Sequence, residues 1–165
     1  MKKKLRMFIV QMMALIGAFG LGCKDTVTVI PPGGDLNDLE TTLLSGSIGA
    51  NLMPFVPPDP ITCRIVLTVR NTSTSESMAG LRLPGAEVVR DTPDVRLGQI
   101  YFSTTWNGRL DPGEQDTVHL VKVLEQTPLF APPCGTHVHL NLLLSNGAGD
   151  VRIVRIDSLF FGCVY

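Results

Sequence analysis

Seven stretches of the chain alternate apolar and polar residues with a period of two, the pattern of strands buried on one face. They cover residues 41–52, 61–70, 80–90, 99–106, 116–125, 137–145 and 151–161. The clearest is 61–70, where Cys63, Ile65, Leu67 and Val69 share one face while Arg64, Thr68 and Arg70 share the other. Breaks between the stretches are rich in residues that favour turns. Pro54, Pro57, Pro58 and Pro60 stop the first, because proline donates nothing to a ladder. Residues 71–77 form a polar loop, and Pro84-Gly85 interrupts the third stretch. Asn107-Gly108 and Asp111-Pro112-Gly113 separate the fourth from the fifth, and residues 146–150 (Asn-Gly-Ala-Gly-Asp) join the last two as a hairpin. No segment carries a clear helical period. The rhythm predicts an all-β domain of about seven strands, packed as an antiparallel sandwich. One strand resists a simple reading: Arg152 and Arg155 have opposite parity, so either Arg152 lies beyond the buried region or a bulge intervenes.

The first 22 residues follow another logic. Lys2, Lys3, Lys4 and Arg6 precede an apolar run from Met7 to Gly22 broken only by Gln11, and Cys23 follows. A basic end followed by an apolar run of this length is an export signal. At about 1.5 Å per helical residue the run reaches roughly 24 Å, short of the ~30 Å hydrocarbon core, so a spanning anchor is disfavoured. Phe19-Gly20-Leu21-Gly22-Cys23 resembles the lipobox of bacterial lipoproteins, with Gly22 in the small position before the cysteine. The leucine usual three places before that cysteine is here Gly20, and Leu21 stands one place later. The resemblance implies cleavage after residue 22, lipidation of Cys23 and a location in the bacterial cell envelope, facing the periplasm or exterior. The expected organisation is a signal peptide over 1–22, a lipidated cysteine and tether over 23–40, and the β domain over 41–165. Residues 26–30 of the tether can alternatively add a short edge strand. An Asn71-Thr72-Ser73 sequon is also present, but it has meaning only in a eukaryotic secretory pathway.

Losing the leader removes four of 14 basic residues and leaves 10 against 15 acidic ones, a net charge near −5. No basic patch is visible, and an acidic protein repels phosphate backbones, so nucleic acid is not expected as a partner.

The segment Leu110-Asp111-Pro112-Gly113-Glu114 with Thr117-Val118-His119-Leu120-Val121 resembles a turn and strand of bacterial immunoglobulin-like and fibronectin type III-like modules. That resemblance implies an immunoglobulin-like order for the sandwich. With Cys23 assigned to lipid, Cys63, Cys134 and Cys163 remain for an oxidising compartment in which cysteines pair. Partners across a hairpin centred on Ala148 have residue numbers summing near 296. Cys134 and Cys163 sum to 297, which places them together at its open end. The competitor is a bridge involving Cys63, because the implied strand order brings all three cysteines to one pole.

Candidate chemistry is sparse. Cys134, His137 and His139 form the sharpest cluster, since two histidines two apart in a strand share a face and thiolate or imidazole ligates copper or zinc. The Cys-x-x-His spacing resembles a cupredoxin's, but Leu140 and Leu142 occupy the places of its methionine. His137-Val138-His139 resembles the His-x-His of copper,zinc superoxide dismutases, which need more histidines than the three present. The competing reading makes His137, His139 and Asn141 the polar face of a half-buried strand, with no cofactor. No Gly-x-Ser-x-Gly elbow occurs, and the Gly-rich 45–49 lacks a strand-to-helix context for phosphate. Asp91 and Asp94 lie in a loop where they are expected to cap turns. Trp106, with Tyr101 and Phe102, is either a contact platform or core, and Tyr101 and Phe102 must face opposite sides. The chain therefore reads as a lipid-anchored, non-catalytic binding or structural module that contacts an envelope protein or glycan. A periplasmic copper- or zinc-binding protein using Cys134, His137 and His139 is the alternative.

Overall fold

A computed structural model describes residues 34–53, 60–123 and 131–165. The leader, Cys23, residues 26–30 and the proline-rich 54–59 lie outside the described residues. Of two compact units, only the one spanning Pro31–Tyr165 contains described residues. It opens with a single 3-10 turn, Leu36–Asp38, capped by Asp35, whose carboxylate accepts the backbone N–H of Asn37 at 2.9 Å. Leu36 and Leu39 are buried, so the core already recruits residues from the segment expected to be tether.

Seven strands follow: β1 (Leu39–Asn51), β2 (Ile61–Asn71), β3 (Arg82–Arg90), β4 (Val95–Ser103), β5 (Gln115–Lys122), β6 (Thr136–Ser145) and β7 (Val151–Val164). Each predicted stretch contains or overlaps one of them. The expected immunoglobulin-like sandwich is not what they build. The strands close into a barrel in the order β1-β2-β5-β4-β3-β6-β7, with β7 returning to β1. All neighbours are antiparallel except that last pair, which runs parallel from Ile48↔Phe161 to Asn51↔Val164.

The correction has a physical source. Strand parity reports which residues face inward and is the same for a sandwich and a barrel. Closure depends on bulges, which bend strands and raise twist. Leu44 is the extra residue in β1, and it lets the first half of the strand follow β2 while the second half also reaches β7. A register shift between Val88 and Val89 marks Leu97 as the extra residue of β4. A third lies on β3 at Pro84, where β3 slips against β6 between Arg82 and Gly85. Pro84-Gly85 therefore does not break the strand; a proline is tolerated because it sits at the bulge. The β4–β5 contact is the narrowest, with only Phe102↔Lys122 and Ser103↔Val121 paired, extended by Val123 N–H to Tyr101 O at 2.9 Å.

The interior is filled by the inward-facing side chains. Ile65, Leu67, Val88, Val118, Leu140, Leu142 and Phe161 are fully buried, each worth roughly 1.5–3 kcal/mol of transfer free energy. Cys63 lies among them, and burial pushes its thiol pKa up to about 12 despite Lys122 nearby. The arginine conflict in β7 also resolves. Arg152 sits at the barrel's end, where its Nη1 donates to Leu36 O and Leu39 O at 2.8 and 2.7 Å. The inward set then changes parity after Ile156, from Val154 and Ile156 to Leu159 and Phe161. Asp157 and Ser158 together face His139, and Ser158 takes a φ of 61°.

The sequon has a structural role. Asn71 is buried, and its Nδ2 donates to Glu76 O at 2.7 Å while its Oδ1 accepts Ser73 N–H at 3.0 Å. Its amide shapes the turn that follows β2. Ser77 Oγ donates to Asp111 in the neighbouring Asp111–Glu114 turn, and Arg109 pairs with the same carboxylate. These two partners hold the Asp111 carboxyl below the ordinary carboxylate range, Ser77 first.

Candidate functional site on the barrel exterior

On the outer face of β4, β3, β6 and β7, the ladder sets two rows side by side. Tyr101↔Gly85↔Leu143↔Ile153 forms one, and Gln99↔Glu87↔Asn141↔Arg155 forms the other. Their neighbours Ile100, Ala86, Leu142 and Val154 point inward, so strand alternation sends both rows outward. The first row is apolar with a gap: Gly85 has no side chain between Tyr101 and Leu143. The result is a groove of about 290 Å³ floored by Pro84, Gly85 and Ala86.

The gap is enforced by backbone contact. A Cβ on Gly85 would stand 2.5 Å from Ile100 O, closer than any real Cβ contact, so only glycine fits. Tyr101 covers that glycine, its Cδ1 lying 3.3 Å from where the Cβ would be, and its hydroxyl reaches Gln99 Oε1 at 3.3 Å. The ring is thus held at both ends while 45% of the residue stays exposed. Leu143 and Ile153 make the opposite wall, 40% and 64% exposed. At the polar end, Glu87 is fixed on both carboxylate oxygens. Oε1 faces Arg96 Nε at 2.9 Å, and Oε2 accepts from Asn141 Nδ2 at 3.2 Å. An exposed pair of this kind adds only about 0–1 kcal/mol to stability. Its consequence is positional: a carboxylate, a guanidinium and an amide are oriented beside an apolar floor, with their charges balanced.

The residues singled out from the sequence are distributed elsewhere. Cys134 and Cys163 form a disulfide, with Cα atoms 5.5 Å apart, and Cys63 is a buried free thiol, which decides between the two bridges. The sum of 297 placed the pair correctly; the register changes from 296 to 297 across the Asp157-Ser158 bulge. A bridged sulfur is no thiolate, so Cys134 cannot complete a ligand set with His137 and His139. His137 stacks edge-on against Phe160, with ring centroids 5.6 Å apart. His139 is buried, and its Nδ1 lies 2.6 Å from Asp91 Oδ1. Arg155 brings its Nη2 to 3.4 Å from the same nitrogen, while its Nε donates to Asp157. Among the described residues, no three His, Cys, Asp or Glu side chains are grouped to hold a metal.

Phe102 points inward and Tyr101 outward, the opposition their adjacency demands. Trp106 is partly buried against the core, and its indole N–H is enclosed without a hydrogen-bond partner among the described residues. Tyr101, not Trp106, is therefore the outward aromatic of that strand region. The sequence reading missed the groove, although one signal was present. Leu142-Leu143-Leu144 and Val151 with Ile153 put apolar residues on both faces of β6 and β7, where a core needs only one. Asp91, expected to cap a turn, is instead the partner of His139.

No known protein-family model matches the chain, and no curated protein is significantly similar to it. The site is accordingly defined by geometry alone: a filled seven-stranded barrel carrying a shallow groove on its outer wall.

Proposed function

We propose that the protein is exported, lipid-anchored through Cys23, and works at the cell envelope as a non-catalytic binding module whose contact face is the Gly85 groove. The groove's preorganised pairing of an exposed apolar wall with a fixed polar end carries this reading. Small-ligand and interface sites join such surfaces, and the apolar residues there have no core to serve. Export is supported by the basic-apolar leader and by the Cys134–Cys163 disulfide, since disulfides persist in oxidising compartments.

Two measurements test this reading. Intact mass of the membrane-purified protein, denatured and alkylated, is expected to show a chain starting at Cys23 with acyl mass. It should take up one alkyl group before reduction and two more after it; a retained leader would remove the anchor. For the contact face, a photoreactive residue replacing Ile153 should give adducts in intact cells, and one replacing Leu44, exposed on β1, should not. Equal yields from both positions would remove the groove as the contact face.

A further inference from the structure

We infer that the groove binds a neutral glycan, taking one pyranose ring against Tyr101; this rests on the proposed contact face and names its ligand class. Three observations narrow the ligand. First, over the groove's floor on β3 and β6 the mode of contact is limited to side chains. β3 and β6 each pair with neighbours on both sides along the groove, so their backbone groups are already spent. A peptide adding itself as a strand needs a free edge, and these central strands offer none.

Second, the charges cancel. Glu87 and Arg96 neutralise each other at 2.9 Å, so the groove offers no net attraction to an anion or cation. The mature chain's net charge near −5 repels polyanions further. Third, the remaining inventory matches a sugar. A pyranose presents an apolar face of axial C–H groups and a rim of hydroxyls that both donate and accept. Tyr101 offers a ring braced by Gly85 and Gln99, and Leu143 and Ile153 offer an apolar wall. Around them, Glu87 can accept, Arg96 can donate, and the Asn141 and Gln99 amides can do both. Planar carboxylate, guanidinium and amide groups engage vicinal hydroxyls in pairs, and their mutual bonds prevent collapse before the ligand arrives. A volume of about 290 Å³ lies at the small end of ligand sites and suits one or two rings.

The test is isothermal calorimetry on the full-length lipidated protein in a zwitterionic detergent, because alkyl glycosides would present the ligand's own headgroup. The titrants are maltotriose, cellotriose and chitotriose, with trigalacturonate as the charged comparison. At least one neutral trisaccharide is expected to bind with Kd of about 0.1–5 mM. Tyr101→Ala and Glu87→Gln should each weaken it by about tenfold or more, and Leu44→Ala should leave it unchanged. Glu87→Gln preserves shape, so it separates lost binding from lost fold if Tyr101→Ala melts early. Binding of trigalacturonate alone, or neutral binding indifferent to both groove variants, would overturn the assignment. If no saccharide binds while the photoreactive residue at 153 still gives its adducts, the glycan is refuted and the contact face survives. Loss of both refutes the two together.

Discussion

Closure of the barrel can be tested at a single pair of glycines. In the parallel seam Gly49 of β1 stands opposite Gly162 of β7, yet the two have very different surroundings. A Cβ on Gly49 would meet Gly162 O at 2.6 Å, a backbone atom that cannot swing away. A Cβ on Gly162 would meet nothing within 4 Å. Gly49→Ala must therefore push β1 from β7 and strain the pairing that runs from Ile48 to Asn51. Overpacking of this sort costs roughly 1–3 kcal/mol. For a domain of this size that lowers Tm by roughly 4–12 °C. Gly162→Ala should act in the other direction, stabilising by about 0.4–1 kcal/mol through the reduced freedom of the unfolded chain. Thermal and urea denaturation of the two variants beside the parent protein would read both effects. An open sheet, with β1 and β7 unpaired, predicts small and similar shifts at the two positions. A Gly49→Ala protein melting within a degree or two of the parent would refute closure.

Other consequences are separable from the seam. Replacing Cys134 and Cys163 by serine opens a crosslink of sequence separation 29, and chain entropy sets the cost at about 3–4 kcal/mol, measurable as a fall in the urea midpoint. Cys63, with its thiol pushed up to about 12 and no access to solvent, should resist iodoacetamide at neutral pH until denaturant is added; rapid alkylation of the native protein would contradict its burial. Asp111 has its carboxyl lowered by Ser77 and Arg109, so its stabilising share is complete above the ordinary carboxylate pKa and is lost as pH falls through the lowered value. Asp111→Asn should therefore lower the urea midpoint at neutral pH and leave it nearly unchanged at acid pH, which flattens the acid limb of the stability–pH curve. Asp91→Ala leaves the buried Nδ1 of His139 without its acceptor and should cost about 1–3 kcal/mol, whereas Asp94→Ala, in the same loop, should cost far less.

The legibility of this fold divides along a physical line. Strand positions were readable because burial on one face imposes a period of two, and 61–70 shows it without exception. The Cys134–Cys163 bridge was readable because an antiparallel hairpin obeys a simple sum. Closure was not readable, because it follows from where single residues are squeezed out of register. Leu44 and Leu97 look like ordinary strand residues until their partners are known, and Pro84 reads as a break where the strand in fact continues through a bulge. His139 failed for the same reason. It was grouped with His137 by parity, but the bulge opposite it and the Asp91 loop bury it while His137 rests on Phe160. Two residues of one face thus acquired different environments through contacts 48 positions away in sequence.

The groove shows how far structural necessity reaches and where it stops. Gly85 is explained by the fold alone, since any side chain there would strike Ile100 O. Tyr101 is partly explained, because an aromatic ring over a strand glycine shields backbone that would otherwise lie open. Leu143 and Ile153 have no such account. They face away from a core that is already filled, and threonine, itself a strand former, would serve there without exposing an apolar surface. One exposed apolar residue on a surface carries no information. Here two lie directly paired across β6 and β7, in line with an exposed tyrosine and beside a carboxylate fixed on both oxygens. Cross-strand pairing of this kind adds at most about 0.2–1 kcal/mol, which accounts poorly for the whole alignment. Within this groove, Leu143 and Ile153 are the residues that the fold does not require, and they are the ones on which selection for a ligand would leave its mark.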